Sequence, residues 1–398
     1  MLNNTVSSNS NLYKVRMLLL LSFVPLMGMS IDLFAPSLPS LSLSLNISTS
    51  VTKLVISVFL LGYAIGNFIV GLMTDALGRR SLLLISCVMF VVSSTLPLFF
   101  PNEFILIAAR FLQGFFIGAI GVVNRGIFSD TLPTEKLLKL GPTMGFLWGL
   151  GPIIGPIVGG FLQHYYGWKS GFYFFSIVVG IMMVLVFVLI PETIEQKSKL
   201  SFSTIKKNIK EVISHSEFMS LIFIMGIAYS LIISFNTLGP FLIQDVMNYS
   251  ALYFGKLAIF LGLAFLPAPI ICRKLLNHYP INKIFFVVIH FFMTLMIVFL
   301  IISFFYKLNI GLLVVATMAV YFMCGSIFPL SMGKGISMFR HISGTAAAVM
   351  YLINMLITCF VAFIQSYIHA DNIVDILLIY VCLIFLILVI YWRKLRSI

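Results

Sequence analysis

The sequence predicts an all-α integral membrane protein with twelve transmembrane helices in two pseudo-symmetric six-helix bundles. Composition, long apolar runs and the distribution of basic residues all point to this class. The 398-residue chain is 61% hydrophobic and 9% charged, with a mean hydropathy of +1.11. An average soluble domain is roughly 45–50% apolar and about 25% charged. So much apolar surface is stable only where lipid is the solvent.

The apolar runs are continuous and long, which predicts helices, because barrel strands would show short alternating segments. A spanning helix needs about 20 mainly apolar residues. The first run follows Lys14 and Arg16 but is long for a signal peptide and lacks a small-residue cleavage site, so we expect a retained helix. The predicted spans are 17–38, 51–73, 81–99, 103–125, 137–162, 168–190, 217–241, 250–272, 282–305, 308–331, 342–367 and 372–391.

Basic residues test this count, because cytoplasmic loops carry most of the Lys and Arg of a membrane protein. With the N-terminus inside, nearly all 25 basic residues fall on one side, here called the inner end. Lys53, Lys169, Lys256 and Lys307 fall at the opposite, outer end, and Arg110 lies within a span. The pattern predicts both termini in the cytoplasm. The net charge of +13 therefore requires no nucleic-acid partner.

The longest polar stretch divides the spans six and six. It predicts an N-terminal bundle over 1–190, a cytoplasmic linker over 191–216 and a C-terminal bundle over 217–398. Within the linker, apolar residues share one helical face and lysines lie toward the other. This pattern fits a helix lying on the inner leaflet, and equally a solvated linker. The apolar residues are Phe202, Ile205, Ile209, Val212 and Ile213.

The sequence offers no sign of a metal site, a disulfide framework or a cofactor. The five cysteines are scattered and form no CxxC pair, and the six histidines lack ligand spacing. Gly333-Lys334-Gly335 lacks the upstream glycine and the Ser/Thr of a nucleotide-binding loop, so no ATP site is expected. The expected partners are a small-molecule substrate, protons and membrane lipid, and the chain is expected to be a monomer.

Asp32 and Arg110 are the charges that lie well inside predicted spans. Charges in lipid are costly and usually face a cavity or a partner. With a rise of about 1.5 Å per residue, Asp32 and Arg110 lie about 8 and 10 Å below the outer end of a core about 30 Å thick. The matching depth predicts a pair, direct or through water, if the two helices are neighbours.

The Asp32 carboxyl has a functional and a structural interpretation. Burial favours the neutral form of a carboxyl, and a nearby guanidinium favours its charged form. A conformational change that alters these opposed effects would load and release a proton, which makes Asp32 and Arg110 a candidate proton-coupling pair. The alternative is a permanently paired structural charge. Pro36 and Pro39 predict a loosened helix beyond Asp32.

Several polar residues also lie within predicted spans. Each either lines a cavity or bonds across helices in the packed bundle. His290 lies in the ninth predicted span, where a functional role is the less favoured interpretation. The candidate cavity residues are Asn67, Gln113, Asn236 and Asn354, with Gln365 as a further polar position.

The loop after the second span carries a recognisable motif, Gly71-Leu-Met-Thr-Asp75-Ala-Leu-Gly78-Arg79-Arg80. It resembles the G-x-L-a-D-r-x-G-r-k motif of the major facilitator superfamily. The resemblance implies that fold, and it implies that the Asp joins a latch between the two halves on the cytoplasmic side. Met73 and Ala76 depart from the motif, so the latch has one partner fewer. The matching residues are Gly71, Asp75, Gly78, Arg79 and Arg80.

Two further segments resemble drug:proton antiporter branches of that superfamily. Arg110-Phe-Leu-Gln113-Gly114 is similar to the fourth-helix motif, whose Arg is linked to proton coupling. The fifth span is similar to the antiporter pattern G-x-x-x-G-P-x-x-G-G, and its small residues allow close helix packing. A generic packing face would explain part of this string. Its matching residues are Gly151, Gly155, Pro156, Gly159 and Gly160.

Finer features resemble the Bcr/CflA drug-exporter family. They are Asp32-Leu-Phe-Ala-Pro36-Ser-Leu-Pro39, Gly167-Trp168-Lys169, Pro191-Glu192-Thr193 and Arg125. The resemblance implies a proton-coupled exporter of amphipathic small molecules or drugs in a bacterial inner membrane, working by alternating access about a central site. Alternatives are export of a specific metabolite or siderophore, nutrient uptake, an intramembrane enzyme, or a receptor that binds without transport. No clustered catalytic residues favour the enzyme.

Overall fold

The computed structural model describes residues 10–194 and 202–395, which are almost wholly α-helical. Within those ranges, twelve helical segments are long and apolar enough to cross a membrane. The predicted fold class and number of spans are therefore confirmed. Numbered in chain order, spans 1–12 are Asn11–Leu45, Thr49–Leu77, Arg79–Phe99, Glu103–Thr131, Thr143–Tyr166, Ser170–Leu189, Ser216–Val246, Ala251–Leu275, Ile281–Ser303, Ile310–Met338, Arg340–Ser366 and Ile373–Lys394.

Five spans are built from more than one helical piece. Span 5 begins further along the chain than the predicted 137–162, because its apolar part lies mostly in the second of two helices. The pieces are Ser10–Asp32, Ala35–Ser37 and Leu38–Leu45 in span 1; Thr134–Gly149 and Gly151–Tyr166 around span 5; Ser216–Phe241 and the π-helical Leu242–Val246 in span 7; Ala251–Phe265 and Pro267–Leu275 in span 8; and Arg340–Ile342 and Ser343–Ser366 in span 11.

Span 1 is interrupted next to its acidic residue, as the prolines predict. The first helix ends at Asp32, and a 3₁₀ turn over Ala35–Ser37 precedes the next helix. Pro36 has no amide hydrogen, so it cannot donate to the carbonyl four residues earlier. Asp32 therefore lies at a break in the helix, where backbone direction is free to change.

The two halves of the molecule, spans 1–6 and spans 7–12, meet along two helix pairs. Span 2 packs against span 11, and span 5 packs against span 8. At the second seam, a Cβ on Gly160 would lie 2.6 Å from the carbonyl oxygen of Ala251, so only glycine permits this approach. The interface between the halves lies beside the core of the N-terminal half, where span 2 packs closely against span 4.

The predicted linker contains a helix over Phe202–Ile213. It packs against spans 7 and 11, with Val212 buried and Ile209 against the same cluster. Ile213 is 45% exposed, so the apolar face is only partly covered by protein. The predicted inner-end residues Lys197, Lys199 and Arg396 lie outside the described residues.

Candidate functional site

Asp32 is completely buried in the interior of the bundle, not facing lipid. One carboxylate oxygen, Oδ1, accepts a hydrogen bond of 2.6 Å from Nδ2 of Asn236 in span 7. The other oxygen, Oδ2, has no hydrogen-bond partner. Because spans 1 and 7 belong to opposite halves, the acidic residue joins the two halves of the molecule.

Arg110 lies beside Asp32 without forming a direct ion pair with it. Its Nη1 donates to Oε1 of Gln113 at 3.0 Å, and both terminal nitrogens reach the Ser30 carbonyl at 3.4 Å. Its guanidinium carbon lies 4.4 and 4.2 Å from the ring centroids of Phe34 and Phe59. The cation is thus fixed by amide, carbonyl and aromatic contacts, and it acts on Asp32 electrostatically.

Two tyrosine hydroxyls from the C-terminal half complete what we call the central polar cluster: Asp32, Asn236, Tyr229 and Tyr321. Both tyrosines are buried and interact electrostatically with Asp32. Among the described residues, the Tyr229 hydroxyl and Oδ1 of Asn236 have no hydrogen-bond partner. The Tyr321 hydroxyl lies beside the Asn236 amide without a well-aligned hydrogen bond. Buried polar atoms in proteins are usually paired, so the cluster has spare capacity to bind a polar group.

The other candidate cavity residues divide into two kinds. Asn67 donates to the Gly118 carbonyl at 3.3 Å, and Gln113 donates to Oγ of Ser94 at 2.7 Å, so both bond inside the N-terminal half. Asn354 is completely buried in span 11, and both ends of its amide lack a hydrogen-bond partner.

Gln365 and His290 have defined partners. Nε2 of Gln365 donates to Oγ of Ser234 at 2.6 Å, inside the C-terminal half. His290 accepts from the Trp392 indole at 3.0 Å on the outside of the bundle. This position lies away from the central polar cluster.

Lys53, which the sequence places at the outer end, is a further buried charge. Its side chain is only 2% exposed, between spans 2, 7 and 11. Its Nζ donates to the Ile368 carbonyl at 2.7 Å and lies 4.9 Å from the Phe241 ring centroid. The carbonyl and the ring supply the compensation that a buried ammonium needs.

The two halves are in contact at the outer end. Besides the Lys53 contact, Nε2 of Gln244 donates to the Pro36 carbonyl at 3.0 Å. Oγ1 of Thr49 lies 3.4 Å from Nε2 of His369. These bonds join the N-terminal half to the C-terminal half, so the structure is closed at the outer end.

At the inner end, the loop motif forms a network within the N-terminal half. Arg79 pairs with Asp75 at 2.7 Å and with Asp130 at 3.0 Å. Glu192 accepts the backbone N–H groups of Arg79 and Arg80, which begin span 3. Thr193 donates to Asp130 at 2.8 Å. We call Asp75, Arg79, Asp130, Glu192 and Thr193 the inner-end network.

The latch that the resemblance implies between the two halves is not formed by Asp75 in this conformation. Among the described residues, its ion pair is with Arg79, four residues along the same half. Gly78 has a φ of +102°, and a Cβ there would lie 2.7 Å from Oε2 of Glu192. The motif therefore shapes the turn that lets Glu192 cap span 3.

The small residues of span 5 bring it against span 1. A Cβ on Gly151 would lie 2.4 Å from Cα of Gly28, and one on Gly159 would lie 2.0 Å from the Leu33 carbonyl oxygen. Gly155 faces the backbone of span 1 at Met29 and Leu33, together with Cβ of Asp32. Because Gly160 packs on span 8, this segment lies between the acidic helix and the opposite half.

Asn236 was singled out from the sequence, but Tyr229 and Tyr321 were not. They are two of 15 tyrosines in an aromatic-rich chain, and nothing in their spacing marks them. Trp148 adds to the same region: its ring centroid lies 5.5 Å from that of Tyr229 and 5.9 Å from that of Phe328. These rings form an apolar wall between the halves on the inner side of the cluster.

Known proteins resemble this chain in sequence and in fold. An uncharacterized transporter of Rickettsia bellii is 25% identical over 405 residues, covering 96% of this chain and 98% of that protein. A bicyclomycin resistance protein homolog of Haemophilus influenzae is 25% identical over 238 residues, covering 59% of each chain. The crystal structure of a D-xylose-proton symporter shares the fold, with a TM-score of 0.76 at 14% identity, covering 97% of this chain and 98% of that one.

The decisive match is to a family profile that covers most of the chain. The profile described as Major Facilitator Superfamily matches residues 18–362. That range includes all of spans 2–10 and nearly all of spans 1 and 11. The chain is therefore a multi-pass membrane transporter belonging to the Major Facilitator Superfamily.

Proposed function

We propose that this transporter is a proton-coupled exporter of amphipathic small molecules, of the Bcr/CflA type. The observation that carries the proposal is the burial of one carboxylate, Asp32, at the junction of the two halves. Its Oδ2 is unpaired and its neighbouring cation is held by other groups. A carboxyl so placed has room to bind and release a proton, which a saturated ion pair would not have.

The two halves supply different parts of the proposed cycle. With the outer end open, Asp32 takes up a proton from that side. Closure cuts the carboxyl off from the outer side, and the proton is released when water reaches the site from the inner end. Arg110 keeps its carbonyl, amide and ring contacts within the N-terminal half and provides a fixed positive field. Substrate and proton then use the same region in alternation.

The substrate class follows from the walls around the cluster. Trp148, Tyr229 and Phe328 offer aromatic surface, while Asn236 and Tyr321 offer unpaired polar atoms beside it. Such a surface suits a molecule with an apolar body and a few polar groups. The name of the Haemophilus relative supports an antibiotic-like substrate.

The proposed setting is a bacterial inner membrane with both termini in the cytoplasm, and the proposed unit is a monomer. The bundles are proposed to be 1–190 and 217–398, joined by the linker over 191–216. The basic residues of the inner end support this orientation. The bacterial relatives support the membrane.

The test is transport in proteoliposomes with an imposed pH gradient, using a panel of amphipathic compounds that includes bicyclomycin. The wild type is compared with Asp32→Asn, which keeps the shape and removes the titratable group. We expect gradient-driven accumulation by the wild type and its loss in Asp32→Asn. Asp245→Asn, the same chemical change on an exposed carboxyl of span 7, is the matched control and retains accumulation.

The direction of transport is tested in the same vesicles. Export by antiport requires substrate to accumulate on the acidic side, against the flow of protons. Accumulation on the alkaline side would identify a proton symporter for uptake instead. Gradient-driven accumulation by Asp32→Asn would remove Asp32 from the mechanism.

A further inference from the structure

The hydrogen bond between Asp32 and Asn236 is unusual in its position. Both side chains are almost completely buried, at 0% and 1% exposure, and the N–O distance is 2.6 Å. The two residues come from opposite halves. The bond can therefore exist only while spans 1 and 7 are held together, as they are in this outer-closed conformation.

Asn236 is also the one donor that reaches the Asp32 carboxylate among the residues described. Oδ2 of Asp32 is unpaired, and Arg110 directs its hydrogen bonds to Ser30 and Gln113 instead. A short N–H donor stabilises the ionised form of a carboxylate. The C-terminal half thus supplies the hydrogen bond that favours the proton-free state.

The surroundings of Asp32 hold few other groups that could titrate with it. Arg110 of span 4, Tyr229 of span 7 and Tyr321 of span 10 interact with it electrostatically. Span 5 presents Gly155 to its Cβ. Tyr63 of span 2 interacts with other groups, which are Arg125, Tyr351 and Trp148.

We propose that Asn236 is a coupling residue, which expels the proton from Asp32 when the outer end closes. In the open state the carboxyl has no contact with Asn236 and accepts a proton from the outer side. Closure brings the amide donor to 2.6 Å. This donor stabilises the ionised form more than the neutral form, and so opposes the tendency of burial to retain the proton. The proton leaves toward the inner end, and the empty site is ready for substrate.

This inference rests on the proposed role of Asp32, but its test reads protonation directly. Infrared spectra of the full-length protein in lipid are recorded as a function of pH. A protonated carboxyl gives a carbonyl band that a carboxylate lacks, and loss of the band in Asp32→Asn assigns it. The midpoint of the band's titration is then compared between variants.

In Asn236→Leu we expect the midpoint to rise by about one pH unit, a tenfold tighter hold on the proton. The sign follows because loss of the donor removes more stabilisation from the ionised form than from the neutral form. Asn236→Ala also lacks the donor but leaves room for a water molecule, which donates in its place. We therefore expect its titration midpoint to lie between those of the wild type and Asn236→Leu. If the leucine variant does not fold, the rise in the titration midpoint of the alanine variant is the test instead.

Gln244→Leu is the matched control. It removes another hydrogen bond between the halves, but one whose acceptor is a neutral carbonyl, at Pro36. We expect its midpoint to equal that of the wild type. An unchanged midpoint in the Asn236 variants, or an equal rise in Gln244→Leu, would overturn the inference.

The transport assay separates this inference from the proposed function. With a fixed pH gradient, the initial rate of substrate accumulation by Asn236→Leu is expected to fall by up to about tenfold, because proton release limits the cycle. If the wild type does not accumulate substrate at all while the band shifts as expected, the proposed function fails and the role of Asn236 stands. If accumulation depends on Asp32 while the band does not shift, only the role of Asn236 fails.

Discussion

The inner-end network and the central polar cluster are both built from acidic and polar side chains, yet they differ in how completely those groups are paired. In the network, Arg79 pairs with two carboxylates, and Glu192 accepts two backbone N–H groups. In the central polar cluster, one hydrogen bond joins Asp32 to Asn236, and four polar atoms have none.

This difference separates a structural role from the functional role that we propose for the central polar cluster. A fully paired network holds its elements in one arrangement, and removing any member leaves others unsatisfied. An incompletely paired cluster lowers the stability of the closed state, since each buried unpaired polar group costs about 1–3 kcal/mol. Unpaired groups at the junction of the halves leave room for a proton or a substrate and keep the junction easy to open.

The largest effect on stability is expected for Arg79→Gln in the inner-end network. Arg79 is 9% exposed and its pairs tie spans 2, 3 and 4 together. Loss of Arg79 should lower the free energy of unfolding by about 2–3 kcal/mol. This is less than the loss expected for breaking a fully buried ion pair, because Asp75 is partly exposed. Thermal unfolding in detergent micelles measures the change.

The control for this substitution is its neighbour, Arg80→Gln. Arg80 donates to the Phe187 carbonyl at 2.7 Å near the surface and has no carboxylate partner among the described residues. A small loss, within about 1 kcal/mol, is expected there. Equal losses for the two arginines would mean that the network does not stabilise the fold through its ion pairs. The infrared midpoint of Asp32 should be unchanged in both.

An intermediate effect is expected for Gly78→Ala, which tests the turn of the same network. Gly167→Ala is its matched control, because Gly167 has a φ of +78° with open space around it. The control isolates the strain of a positive φ, about 1 kcal/mol. At Gly78 the new Cβ also meets Glu192, so the loss should be about 2 kcal/mol. A smaller loss of unfolding free energy at Gly78 than at Gly167 would contradict the role of Glu192 as the cap of span 3.

The sequence predicts those parts of the molecule that depend on local composition. The lengths of the apolar runs predict the twelve spans, and Pro36 predicts the break beside Asp32. The helical rise per residue predicts that Arg110 lies at the depth of Asp32, and Arg110 does contact the Ser30 carbonyl in span 1. The glycine string of span 5 predicts close helix packing, although it does not name the neighbour. Each of these features is set within one helix or one turn.

The partners across the halves were not predictable in this way. Asn236 lies 204 residues from Asp32 along the chain, and no periodicity relates the two. In the sequence, Lys53 is indistinguishable from an ordinary surface lysine, because its bond to the Ile368 carbonyl depends on the packing of the two halves. Asp130 and Glu192 join the loop motif from spans 4 and 6 in the same way. Such contacts depend on how separate helices pack.

The smallest effect on stability, and the one that most sharpens the comparison, is expected for Tyr321→Phe. Among the described residues, the buried Tyr321 hydroxyl has no well-aligned hydrogen bond, although it lies beside the Asn236 amide. Its removal should therefore leave the unfolding temperature nearly unchanged. Tyr380→Phe is the matched control within the same half, since its buried hydroxyl lies 3.4 Å from Oγ1 of Thr317. That variant should lose about 0.5–1 kcal/mol.

For transport, we expect the order of the two tyrosines to be reversed, with the larger effect at Tyr321. Tyr321→Phe should reduce gradient-driven accumulation several-fold, because the central polar cluster loses a polar atom that faces the shared site. Tyr380 interacts electrostatically with Tyr321 but is not among the groups that act on Asp32, so Tyr380→Phe should transport as the wild type does. A Tyr321→Phe protein that is clearly less stable and transports normally would show that its hydroxyl is a structural group, and the cluster would then resemble the inner-end network after all.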